Sequence, residues 1–225
     1  MAFDLQTFKT RTLTAIIFAA VMLTGLLWNG IAFIILFVII HIGCWIEFIK
    51  LLKKINPGKW VPYVPLGFLY ITLPIILLID LRLHDLKILS DNFLKIIPSG
   101  IIFSIWINDT MAYIVGSLIG KTSFSKISAK KTWEGTIGGA ILCIIIISFV
   151  GWYAKVYTLQ DWIIISALCA IFGTFGDLLE SKLKRMAQLK DSGTLMPGHG
   201  GFLDRFDSLL VAAPFVWLYV YFFIR

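Results

Sequence analysis

Long apolar runs separated by short polar breaks occupy nearly the whole chain. The runs fall near 12–27, 31–49, 61–79, 96–119, 136–153, 162–180 and 206–224. Each approaches the roughly 20 residues a helix needs to cross a hydrocarbon layer about 30 Å thick. The pattern predicts an all-α, polytopic integral membrane protein with about seven transmembrane helices and two polar cytoplasmic loops. Trp28-Asn29-Gly30 divides the first two runs and predicts a tight helical hairpin rather than one long helix. The third run contains Pro62, Pro65 and Pro74, which a membrane helix tolerates only where neighbours satisfy the freed carbonyls.

Composition narrows the class. Of 225 residues, 59% are hydrophobic and only 15% charged, with a mean hydropathy of +0.89. An ordinary soluble domain carries about a quarter charged residues, so that class is excluded, as is a separate globular domain. The net charge of +7 does not point to nucleic acid. With a cytoplasmic N-terminus, 15 of the 20 Lys and Arg fall on one face, the bias of cytoplasmic loops. That face receives the polar loops 120–135 and 181–205. Cys44, Cys143 and Cys169 lie in apolar runs without ligand spacing and read as buried thiols. His41 and His84 are read as structural, and the N-terminal segment as retained rather than a cleaved signal.

Most of the candidate chemistry sits in Gly176–Ser208. Were 173–186 helical, Asp177, Ser181, Lys184 and Arg185 would share a face at i, i+4, i+7 and i+8. Asp204 and Asp207, at i and i+3 where the next helix begins, bring two more carboxylates to the same layer, and Asp191 lies between. Carboxylates at two helix ends facing water suit Mg²⁺ bound together with phosphate. Pro197-Gly198-His199-Gly200-Gly201 would let backbone N–H groups approach an anion, with His199 and Arg205 adding charge. A second constellation is Asn108-Asp109-Thr110 inside the fourth run, where an ionisable group is costly and a functional candidate by default. Lys130 and Lys131 follow it. Glu47 reads as a side chain that snorkels or pairs with Lys50. On this reading the chain forms an N-terminal transmembrane region, 1–95, and a C-terminal catalytic one, 96–225.

The run Ser181-x-Leu-Lys184-Arg185-x4-Lys190-Asp191-x-Gly193-x3-Pro197-x-His199-Gly200-Gly201-x2-Asp204-Arg205-x-Asp207 closely resembles the signature of the phosphatidate cytidylyltransferases, also called CDP-diacylglycerol synthases. Asn108-Asp109-Thr110-x-Ala112-Tyr113-x2-Gly116 and Ser128-Ala129-Lys130-Lys131-Thr132-Trp133-Glu134-Gly135 resemble two upstream elements of the same family, so the likeness covers roughly 100–210. Ala129 and Ser117 stand where the family usually has Pro and Arg, and Met196 where it usually has Leu, Ile or Phe. The resemblance implies transfer of CMP from CTP to phosphatidate. It also implies Mg²⁺, alone or with a second cation, on Asp177 and Asp204 with Asp207 and Asp191 nearby. Lys130, Lys131, Lys184, Lys190 and Arg205 would hold phosphates, Ser181 would bind a phosphate or a ligand water, and His199 with Gly200 and Gly201 would wrap the phosphates. Asp109 would line the polar end of the lipid cavity. A homodimer in the bacterial inner membrane is the family expectation. The competing readings are a CTP-dependent enzyme of another lipid, either a polyprenol kinase or an ether-lipid cytidylyltransferase, and a cation-coupled transporter.

Overall fold

The computed structural model describes residues 5–83, 94–125, 127–128, 131–193 and 200–224, with side chains from residue 12 onward. Among these residues the chain forms α1 (Leu5–Leu27), α2 (Gly30–Ile55), α3 (Val61–Leu83), α4 (Ile96–Ile119), α5 (Trp133–Ala154), α6 (Leu159–Met186) and α7 (Leu203–Ile224). The protein is an all-α integral membrane protein. Six helices, α2 to α7, are long and apolar enough to cross a membrane, whereas α1 is apolar only over the shorter stretch Thr12–Leu27. The expected seven spans are therefore six full-length helices and one shorter one.

Local chemistry explains the ends. Asn29 caps α2, its Oδ1 accepting the Ala32 N–H at 2.8 Å, so the polar break is a helix start as well as a turn. Thr158 and Asp161 form a reciprocal capping box on α6. The prolines of α3 are absorbed by changing helix type: a 3₁₀ turn at Val61–Tyr63, a short α turn, and a π turn at Phe68–Thr72 closed by the Leu73 N–H on Phe68 O. The π turn is braced by α2, where the Trp45 indole N–H lies 3.0 Å from both His41 Nε2 and Thr72 Oγ1.

Both polar loops are shorter than their charge suggested. Helix α6 runs on to Met186, α7 starts at Leu203, and α5 starts at Trp133. A helical turn can keep apolar residues on one face and charges on the other, so Lys182 and Arg185 ride on helix rather than loop.

One apolar core runs from Met22 on α1 through α2, α3, α4 and α6 to Val220 on α7. Outward-facing Ile35, Ile39, Ile42 and Ile46 leave α2 a lipid-compatible face. Arg82 at the end of α3 is fully buried, with its guanidinium 6.0 Å from the Phe33 ring centre. Glycines bring α4 close to α5 and α6 close to α7. A Cβ on Gly139 of α5 would meet Ala112 N of α4 at 2.7 Å, and one on Gly176 of α6 would meet Ser208 Cα of α7 at 3.0 Å.

Candidate active site

The close crossings converge on a polar cavity of about 550 Å³. Its wall takes Asn108, Asp109, Ala112, Tyr113, Gly116 and Ser117 from α4, Ser128, Lys131 and Thr132 from the segment before α5, and Thr136 from α5. Helix α6 adds Thr174 and Asp177, and α7 adds Asp204, Asp207 and Ser208.

Lys131 is placed by a small antiparallel turn. The Phe124 N–H donates to Lys131 O at 2.8 Å, the Trp133 N–H to Thr122 O at 2.9 Å, and the two aromatic rings stack edge-on at 4.5 Å. Thr132 caps α5 by accepting the Gly135 N–H, and the Glu134 carboxylate accepts the Lys121 and Thr122 N–H groups at 3.2 Å. The Lys-Thr-x-Glu-Gly order thus builds a platform that sends Lys131 across the cavity to an ion pair with Asp177.

Behind the opposite wall Lys184 Nζ lies 2.6 Å from Asp204 Oδ1 and 2.5 Å from Glu180 Oε2. Glu180 is fully buried, so its pairing with the lysine is what makes an interior carboxylate tolerable. The second oxygen of Asp204 accepts Ser192 N–H and Gly201 N–H, each at 2.8 Å, and lies 2.9 Å from Ser192 Oγ. Asp207 is buried on the next turn of α7, its Oδ1 accepting the Ser208 N–H at 2.6 Å, within the field of Asp177, Glu180 and Asp109. The Gly176 contact sets this spacing, because α6 can bring Asp177 beside Asp207 only where the intervening residue has no Cβ.

The matching family model is that of the cytidylyltransferase family, over residues 91–223. The chain belongs to the cytidylyltransferase family. A protein of Rickettsia typhi named phosphatidate cytidylyltransferase is 33% identical over 222 residues, 95% of this chain and 92% of that one. One of Rickettsia felis with the same name matches to the same extent. A phosphatidate cytidylyltransferase of Staphylococcus saprophyticus is 38% identical over 157 residues, 68% of this chain and 54% of its own length.

Of the residues singled out in this cytidylyltransferase-family sequence, the structure gathers Asp109, Lys131, Asp177, Asp204 and Asp207 on one cavity, with Lys184 held behind Asp204. Ser181, Lys190, Gly200, Arg205 and Asp191 lie outside the wall, with Lys190, Arg205 and Asp191 exposed. Lys130 and His199 are outside the described residues. The Gly201 N–H, expected to face an anion, is given to the Asp204 carboxylate. Gly200 adopts φ +82°, a left-handed conformation, and a Cβ there would reach Asp204 Oδ2 at 2.6 Å. Ser117, in place of an Arg, lines the cavity with its hydroxyl donating to Ile114 O at 2.8 Å. Sequence reasoning missed the part played by Glu180, although its position four residues before Lys184 was a usable signal. It also misplaced Glu47, which was expected to snorkel or pair with Lys50 but is buried, accepting from Ser192, Phe202 and Leu203.

Proposed function

We propose that the chain transfers CMP from CTP to phosphatidate, giving CDP-diacylglycerol and pyrophosphate, at this cavity. The observation that carries the reading is the crossing of two carboxylate–lysine pairs, Asp177 with Lys131 and Asp204 with Lys184, where helix ends meet the polar layer. Such a site can bind negatively charged phosphates through the lysines and a cation through the carboxylates. The names of the relatives point to the same substrates.

Mg²⁺ fits the donor set. The carboxylates are hard oxygen ligands, and two already hold an ammonium group. Among the described residues no three ligating side chains converge on one point. That suits an ion taking one or two carboxylates and completing its shell with phosphate oxygens and water. Asp177 and Asp204 would hold it with Asp207 beside them, and when bound it neutralises charge on the transferring phosphoryl group.

In the reaction a phosphate oxygen of phosphatidate attacks the α-phosphorus of CTP in line. The new P–O bond forms as the α–β bridging bond breaks, and pyrophosphate leaves with the electron pair. A phosphomonoester has a second pKa near 6, so the attacking oxygen needs no dedicated base at neutral pH. The protein's work is then positioning and charge neutralisation. Lys131 turns from Asp177 to a phosphate oxygen while Lys184 stays behind the wall on Asp204 and Glu180, and the wall hydroxyls of Ser128, Thr132 and Thr136 supply further donors. Asp109 and Asn108 form the end of the cavity deepest along α4. The positive-inside count supports a cytoplasmic site in a bacterial inner membrane, which delivers soluble CTP to a lipid headgroup.

The test uses purified protein in liposomes with Mg²⁺, phosphatidate and CTP labelled at the α or γ phosphate. Phosphatidate-dependent entry of α-label into lipid, with γ-label released as pyrophosphate, is the expected outcome. Entry of γ-label into lipid would make the chain a kinase and overturn the proposal.

A further inference from the structure

We infer that Glu47, a carboxylate on α2 far from the catalytic stretch in sequence, is a positioning residue that holds the Asp204 side chain in register for transfer; the inference rests on the function proposed above. Glu47 is 5% exposed. A buried carboxylate must be compensated by donors, and among the described residues they come from the site segment. The Phe202 N–H donates to Oε1 at 2.9 Å, the Leu203 N–H to Oε2 at 2.9 Å, and Ser192 Oγ lies 2.7 Å from Oε2. The two N–H groups open α7 and have no partner within the helix, and negative charge is favoured at that end.

Ser192 Oγ is also 2.9 Å from Asp204 Oδ2. A hydroxyl has one proton, so the two carboxylates share it, and the placement of Asp204 depends on Glu47 through Ser192. Asp204 passes the arrangement on to Lys184 at 2.6 Å. The fit around Glu47 is close. A Cβ on Gly193 would meet its Cδ at 2.6 Å, and Gly43, one turn earlier on α2, leaves room for Phe202, whose ring carbon Cγ a Cβ would meet at 2.5 Å. Helix α2 thus offers a seat for Phe202 and a clamp for the start of α7. Aspartate, one methylene shorter, cannot span the same donors.

The experiment compares full-length wild type, Glu47→Gln, Glu47→Ala, Ser192→Ala and the Glu47→Gln, Ser192→Ala double variant. Readouts are kcat and KM per folded molecule, thermal unfolding, and amide hydrogen exchange at Phe202 and Leu203. Displacing a catalytic group by about 1 Å can cost on the order of a hundredfold, so kcat should fall about ten- to a hundredfold in Glu47→Gln and Ser192→Ala, with KM for CTP changing by less than about threefold. The double variant should lose less than the product of the single losses, because both act on one path. Exchange at Phe202 and Leu203 should rise in Glu47→Ala or, should that variant not fold, in Glu47→Gln. Ser192→Ala with wild-type kcat, or losses explained wholly by unfolded protein, would overturn the inference. A wild type that transfers no CMP to phosphatidate defeats the substrate reading instead. In that case exchange at Phe202 and Leu203 still decides for Glu47, an unchanged rate overturning the inference.

Discussion

Lys184 answers to two carboxylates at once, and one of them, Glu180, is fully buried. Removing the lysine leaves interior negative charge without compensation, which costs about 3–5 kcal/mol in comparable buried pairs. Lys184→Met should therefore lower stability by about that amount in chemical or thermal unfolding, as well as ending turnover. Asp177 is different, being partly open to the cavity and paired across it to Lys131. Asp177→Asn keeps the shape and removes the charge. It should unfold near the wild-type temperature while kcat drops by at least about a hundredfold, the scale seen when one preorganised charge-stabilising group is lost. Measuring both quantities on the same preparation separates the two kinds of acidic residue.

At the scale of elements, glycines decide whether a cavity exists. Gly135 and Gly139 let α5 lie against Ala112 and Gly116 of α4, and Gly176 lets α6 meet the backbone of α7 at Asp207 and Ser208. Gly176→Ala would drive a methyl group to within 3.0 Å of Ser208 Cα, with helix backbone rather than a flexible side chain as the obstacle. Overpacking of this kind costs about 1–3 kcal/mol, and here it also separates Asp177 from Asp207. The expected result is a moderately destabilised enzyme with a disproportionate loss of kcat, read from unfolding and initial rates together. The helix ends tell a related story. Asn29, read from the sequence as part of a turn, is also the cap of α2, and the start of α7 was read within a residue of its place, whereas the start of α5 at Trp133, capped by Thr132, lay hidden in an apparently polar loop.

For the whole molecule, the placement of the site on one membrane face is directly measurable. The three native cysteines are buried, so an introduced thiol reports alone. In intact cells a membrane-impermeant maleimide should label Gln160→Cys, at the exposed start of α6, and should reach Lys54→Cys, at the exposed end of α2, only after permeabilisation. The reverse pattern would move the site to the other face. Apolar run lengths, charge scarcity and the Asp-Lys-Gly spacing of 176–208 were enough to point to a helical membrane protein, to its family and to Asp177, Asp204 and Asp207, which the fold gathers on the cavity, because these depend on local composition and helical periodicity. They could not reveal that Lys131 reaches Asp177 from another segment, that Gly201 gives its N–H to Asp204, or that α2 supplies Glu47 from 155 residues before Phe202. Those are pairings between groups distant in sequence. What decides them is which helices pack against which, and how closely glycine lets them approach; the demand that every buried charge find its donors then selects the partners, and that demand is met only in three dimensions.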